Sequence, residues 1–379
     1  MTNGKRRWGK VITLVVVIAV VIILLLNPAV QGILRSIFID PFQKSYPEYT
    51  TFTVEQTLTV DANGGIVLNY TVDIPLPKTI QQQGHPLQQV IEVTADPEPG
   101  DVKDRYGYDW AEWTGSGPVE QGTKSITIRY QMKVSTFIWN LGPDEVGNVS
   151  DIPSSLKNAY LGDEWRIIVD HPDIQALASD LVGGERNVLK GFQAIYAWVG
   201  ENIDYPSGAS SSLPQTSIQT LESRVGDCDD QAILFCAVAR AAGIPAWLQL
   251  GILFDQSRGN WGGHGWVQAY LPLRSGGGVN ATIDTVNKDF LVWRPNRFAD
   301  FTDDGNASHL EDYYFSFYCT YDPASYPPGQ TPEFGQTFET IEYSESGNRV
   351  RPGDFPAYAA TPILSATVQT VRYIPRLGS

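Results

Sequence analysis

Three residues in the second half of the chain have the types and the order that covalent chemistry on an amide requires. Cys228 stands in Gly226-Asp227-Cys228-Asp229-Asp230, at the head of an apolar run that ends in Gly243-Ile244-Pro245-Ala246-Trp247. His264 follows in Gly263-His264-Gly265-Trp266-Val267, and Asp284 in Ala281-Thr282-Ile283-Asp284-Thr285. A thiol nucleophile, an imidazole base and a carboxylate that orients the imidazole act as one unit. Taken singly, each has a structural explanation: a cysteine in a buried helix, a histidine on a strand, an acid after an apolar residue. Their order and their surroundings together favour chemistry.

These residues need one helix and two strands to hold them. Asp227 suits the N-cap of a helix, and Gly243 with Pro245 stops it. Ala232, Ile233, Leu234, Phe235, Ala237, Val238 and Ala239 make that helix apolar all round, hence buried, so only its first turn reaches a surface. Helix N-terminal amides favour a thiolate at Cys228. Asp227, Asp229 and Asp230 oppose it through like-charge repulsion, so activation is expected to depend on the histidine. Cys236, two turns deeper, reads as a small buried hydrophobe. On the following strand His264, Trp266, Gln268 and Tyr270 share one face, with Val267, Ala269 and Leu271 on the other. A turn within Pro272 to Gly278 makes a hairpin that sets Asp284 beside or diagonal to His264.

Over about residues 165–295 these motifs resemble the transglutaminase-like, papain-like superfamily of cysteine hydrolases, in its prokaryotic membrane-anchored form. The resemblance implies an α+β core with Cys228 as nucleophile, His264 as base and then acid, and Asp284 as orienter. It also implies an oxyanion donor besides the Cys228 amide, for which Tyr205 and Trp198 are candidates. No cofactor is implied, and the chain shows neither the calcium apparatus of the animal enzymes nor the cysteine-rich zinc site of the deglycosylating branch. Expected substrates are proteins or peptides, at the cell envelope. Water as acceptor makes a protease or amidase and an amine makes a transglutaminase; proteases are frequent among prokaryotic members, which favours hydrolysis. The competing expectation is a catalytically inactive transglutaminase-like binding or scaffold module at the cell surface. An intact Cys228, His264 and Asp284 argue against it.

Composition bounds the rest. With 379 residues there is room for two domains or a little more. A hydrophobic fraction of 42% and a charged fraction of 18% belong to a globular protein. The net charge of −15 excludes nucleic acid as a partner, since phosphate binding needs clustered Lys and Arg. Three cysteines, Cys228, Cys236 and Cys319, cannot build a disulfide framework and lack zinc-knuckle spacing, so no metal site is expected and at least one thiol is free. Oligomeric state is not legible in the sequence.

Residues 11–30 are apolar over about the length a membrane-crossing helix needs. Lys5, Arg6, Arg7 and Lys10 precede the run, and only Arg35 follows closely. The positive-inside rule then leaves residues 1–10 in the cytoplasm and the catalytic part outside. A cleaved signal peptide is the alternative, disfavoured because Ile23-Leu24-Leu25-Leu26 lacks the small residues of a cleavage site. Residues 31–47 read as a juxtamembrane stalk and 48–150 as a β-sandwich domain, from the alternation at Ile66–Ile74 and Ile126–Val134 after the Asn63-Gly64 turn. This part resembles the β-rich module that precedes many prokaryotic transglutaminase-like cores. Residues 151–299 form the predicted core, with an amphipathic helix over Val188–Ile203. Residues 300–379 form a β-rich C-terminal extension packed on it, with strands at Phe338–Tyr343 and Ala366–Tyr373. Asn69, Asn148, Asn280 and Asn306 head four glycosylation sequons consistent with an outside address.

Overall fold

Two-residue periodicity builds the first part of the computed structural model, which describes residues 44–82, 84–120, 122–207 and 213–352. The predicted membrane helix at 11–30 and the predicted strand at Ala366–Tyr373 lie outside these residues. Among the described residues, no helix is long and apolar enough to cross a membrane.

Eight strands come first: β1 (Tyr46–Asp61), β2 (Ile66–Pro75), β3 (Ile80–Gln82), β4 (His85–Asp96), β5 (Asp101–Arg105), β6 (Tyr108–Glu120), β7 (Thr123–Ser135) and the short β8 (Phe137–Ile138). Along β1 the side chains of Phe52, Val54, Gln56, Leu58 and Val60 are buried and the residues between them are not, as a half-buried strand requires. β7 repeats the pattern through Ile126, Ile128, Tyr130, Met132 and Val134. Helices follow: α1 (Ser154–Tyr160), α2 (Pro172–Val182), α3 (Val188–Asn202), α4 (Ser217–Ser223) and α5 (Cys228–Ala241). A second run of strands comprises β9 (Ala246–Asp255), β10 (Asn260–Pro272), β11 (Gly278–Asp284), β12 (Asp289–Phe290), β13 (Val292–Trp293) and β14 (Arg297–Thr302). The described chain ends with α6 (Ala307–Tyr314), β15 (Phe317–Asp322) and β16 (Glu333–Val350).

The central antiparallel sheet of the second half runs β12-β11-β10-β9-β14. Helix α5 packs against β9 and β10 on one side and meets α2, α3 and α4 on the other, which explains why it is apolar all round. Its single basic residue, Arg240, is also buried. The guanidinium donates to Glu164 Oε2 at 2.8 Å, Asp303 Oδ2 at 3.3 Å and the Ala246 carbonyl at 2.8 Å, clamping the far end of the helix.

The sequence reading has residues 300–379 as a β-rich extension packed on the core, and the described part does pack there, with Trp261 Nε1 donating to Thr340 Oγ1 at 3.0 Å and Tyr343 against Phe254. Its strands in addition complete the sheets of the first half, in the orders β16-β1-β7-β4-β3 and β15-β2-β6-β5. β16 pairs antiparallel with β1 from Tyr46–Val350 to Asp61–Glu333, and β15 pairs with β2. Without them β1 and β2 would each expose a row of unpaired backbone groups. The predicted boundary at 299/300 also falls inside β14 rather than between elements. Buried residues of both halves form one continuous core.

Candidate active site

The geometry begins at the mouth of α5. The Asp227 carboxylate accepts from the Asp229 and Asp230 amides, while Asp230 Oδ2 accepts from the Asp227 N–H at 3.1 Å, a reciprocal capping box. Asp230 is further held by the backbone N–H and side-chain amide of Gln215, at 2.6 and 3.0 Å. Of the three acids flanking the thiol, Asp227 and Asp230 are thus both engaged in capping, and Asp229 and then Asp227 act on it electrostatically. At the other end Gly243 takes φ +77° and its amide and that of Ile244 satisfy the last carbonyls, which fixes where the helix stops.

Cys228 is half-buried, and its thiol donates to Asp229 Oδ1 across 3.5 Å. Burial pushes this thiol well above its ordinary value, Asp229 and Asp227 push it further, and the Gly265 N–H pulls the other way. The resting form is therefore a thiol, not a thiolate. Gly265 has a steric reason to be glycine: a Cβ there would overlap the Asp229 carboxylate. That position lets β10 close on the mouth of α5.

His264 is 8% exposed and Asp284 2%. The β10–β11 register pairs Val267 with Ile283, which makes His264 and Asp284 a diagonal pair across the hairpin. Nε2 of His264 lies 2.8 Å from Asp284 Oδ2, leaving Nδ1 as the nitrogen that can serve a nucleophile. Cys228, His264, Tyr205 and Asn287 line one cavity of about 330 Å³. The structure thus brings the three predicted residues to one place, two at the cavity wall and the carboxylate directly behind.

Two residues absent from the sequence reading complete this set. Asn287 donates from its backbone N–H to Asp284 Oδ1 at 3.0 Å and from Nδ2 to Oδ2 at 2.9 Å, with Nδ2 also 3.1 Å from His264 Nε2. Arg297, fully buried, donates from Nη1 to the same Oδ2 at 2.6 Å. Its guanidinium stacks over Trp266 at 4.6 Å. Burial would raise Asp284, but His264, Arg297 and the Asn287 amide outweigh it and hold the carboxyl well below the usual carboxylate range. Asn287 could have been suspected from the turn after Asp284. Arg297 follows Asp284 by thirteen residues on another strand, and no local signal marks it.

Tyr205 is 47% exposed on the cavity wall, and burial together with Cys228 and Asp227 pushes its hydroxyl up to about 12, so it stays a donor. Trp198 is not among the cavity-lining residues; its ring instead lies under the Arg224 guanidinium, 4.8 Å away. The sequon residues are scattered over the surface, Asn69, Asn280 and Asn306 exposed and Asn148 partly so, and none lines this cavity.

Residues 175–278 match the family model of the transglutaminase-like superfamily. They form a transglutaminase-like core. The fold is shared with the crystal structure of a candidate cysteine protease from Cytophaga hutchinsonii, at 17% identity and a TM-score of 0.56, over 79% of this chain and 93% of that one. The periplasmic domain of TgpA from Pseudomonas aeruginosa overlaps less closely, at 15% identity and a TM-score of 0.34, over 65% of this chain and 89% of that one. No curated protein matches the chain. The core as matched ends at Gly278, so β11 with Asp284 and β14 with Arg297 lie beyond it in sequence.

Proposed function

We propose that this chain is a membrane-anchored, extracytoplasmic thiol enzyme that opens peptide or isopeptide bonds through an acyl-enzyme on Cys228, with water as the acceptor. The observation that carries the reading is the 2.8 Å contact between His264 Nε2 and Asp284 Oδ2, placed behind a cavity that His264 shares with Cys228 on a transglutaminase-like core. Because the resting sulfur keeps its proton, His264 takes that proton through Nδ1 as the sulfur attacks the carbonyl carbon. The tetrahedral oxyanion needs N–H or O–H donors, and the Tyr205 hydroxyl is the side-chain candidate at the cavity. Collapse returns the proton from His264 to the departing amine and leaves a thioester. Water, deprotonated by the same imidazole, then releases the acid and restores the thiol. The membrane anchor and the outside address rest on the charge asymmetry around residues 11–30, which also makes envelope proteins the natural substrates.

The test is turnover of amide reporters by the purified full-length protein and by Cys228→Ala, His264→Ala and the double variant. Each single change removes nearly all activity, and the double removes little more, because residues acting as a unit are not additive. Turnover close to wild type from a folded His264→Ala protein would sink the reading.

A further inference from the structure

A second cavity opens on the other side of His264. Its volume is about 540 Å³, larger than that of the cavity holding Cys228, and the two share Gly263 and His264 as a common wall. It therefore continues the reactive cleft past the imidazole. Its far walls come from outside the matched core: Gln56 and Ile74 from the first strands, and Phe315, Phe317, Phe334 and Gln336 from the C-terminal segment.

The lining has a consistent chemistry. Two carboxylates face it, Asp229 beside the nucleophile and Asp300 on β14, and its described lining includes no Lys or Arg. Each acid is steadied by a tyrosine on α6: the Tyr314 hydroxyl donates to Asp229 Oδ2 at 2.8 Å, and the Tyr313 hydroxyl to Asp300 Oδ1 at 3.1 Å. Aromatic faces enclose the rest, with Phe317 and Phe334 stacked at 4.7 Å. Apolar walls with a few oriented polar groups are what a ligand subsite needs. A side chain with a long apolar stem and a cationic head satisfies both parts: its stem lies along the rings and its head meets the carboxylates, with cation–π attraction adding to the charge-assisted bonds. An acidic side chain would meet two like charges there, and a short one would leave the volume empty. Burial raises both acids, Asp229 to about 6 and Asp300 to about 7, so a bound cation also relieves their unfavourable ionisation.

We propose that this cavity is the specificity subsite for a lysine or arginine side chain close to the amide that Cys228 attacks. The inference rests on the thiol-enzyme reading above and adds the substrate class to it. The experiment uses peptidyl acyloxymethyl ketones that carry Lys, Arg, norleucine or Glu in turn at each of four positions. The readout is the rate of Cys228 modification in the full-length protein, followed by mass spectrometry. At one position Lys and Arg should exceed norleucine by about tenfold, the effect of one well-placed charge-assisted contact, and Glu should be slowest. Asp300→Asn keeps the shape and the Tyr313 contact partner, and should cut the Lys-to-norleucine ratio severalfold. Phe334→Ala, at a partly exposed site, should lower the same ratio without threatening the fold. Equal rates for Lys and norleucine at every position overturn the proposal, as does a preference that Asp300→Asn and Phe334→Ala leave intact. If neither the peptide probes nor iodoacetamide modify Cys228, the thiol-enzyme reading itself fails and this inference falls with it.

Discussion

Asp284→Asn, the conservative way to test an orienting carboxylate, acts here on two structures at once. One oxygen, Oδ2, meets His264 Nε2 at 2.8 Å, Arg297 Nη1 at 2.6 Å and Asn287 Nδ2 at 2.9 Å. Asp284 is 2% exposed and Arg297 fully buried, so the amide would leave a guanidinium inside the protein without its anion. Breaking a buried pair by removing one partner costs about 3–5 kcal/mol. At roughly 2–4 °C per kcal/mol for a large domain, the melting temperature should fall on the order of 10 °C. Arg297→Met combined with Asp284→Asn removes the stranded charge and sets a thioether against Trp266 and Trp293, so most of the lost stability should return. Activity should not return with it, because His264 still lacks its carboxylate. Thermal and urea unfolding of wild type, both single variants and the double variant form a complete cycle that isolates the coupling. A single Asp284→Asn variant within about 1 kcal/mol of wild type, or a double variant no more stable than that single, would refute the reasoning.

Further predictions concern the thiols, the buried acids and the topology. Iodoacetamide should modify Cys228 while Cys236, with no exposed surface, waits for unfolding; since the Cys228 pKa is raised, its rate should climb with pH through the alkaline range, and a plateau below pH 7 would contradict a resting thiol. Glu164, pushed up to about 8 by burial and by Asp303 despite Arg240, binds its proton more tightly folded than unfolded. Its contribution is therefore full in acid and lost as pH rises from the ordinary carboxylate range through 8. The melting temperature of Glu164→Gln relative to wild type should accordingly increase from pH 5 to 9, and a flat difference would dispose of the idea. Protease added to intact cells should degrade the chain beyond residue 48; protection until membranes are opened would reverse the proposed orientation.

What could be read in the sequence was what is set locally. Ile66–Ile74 and Ile126–Val134 lie within β2 and β7; the two-residue period holds through β7, whereas in β2 an irregularity after Val67 buries Val67 and Val72 and leaves Leu68 exposed. Helix α5 announces itself through a cap, an apolar body and a glycine stop, and the hairpin through a turn of suitable length between His264 and Asp284. Of β16 the sequence shows only a piece, the strand at Phe338–Tyr343; most of its residues are exposed and its partner β1 lies nearly 300 residues away, so nothing local tells what it pairs with. Arg297 is hidden for a related reason: an arginine among apolar residues looks like a surface tip until the fold shows the carboxylate and the two indoles around it. The second cavity belongs to the same class, since its walls come from the first strands, the core and the C-terminal segment together.

The pairing of β1 with β16 also sets a timetable. The strand made first among the described residues has its outer edge unsatisfied until the last one exists, and one wall of the second cavity, at Phe334 and Gln336, arrives with that last strand. Contacts of such long sequence separation form late, because the intervening loop must be closed before they give any return. A chain still emerging from a ribosome, or being threaded through a membrane, would carry Cys228, His264 and Asp284 with an unfinished cleft beside them. Until β16 docks, the proposed side-chain subsite lacks the wall that Phe334 and Gln336 supply, whereas the cavity holding Cys228 takes no residue from that strand.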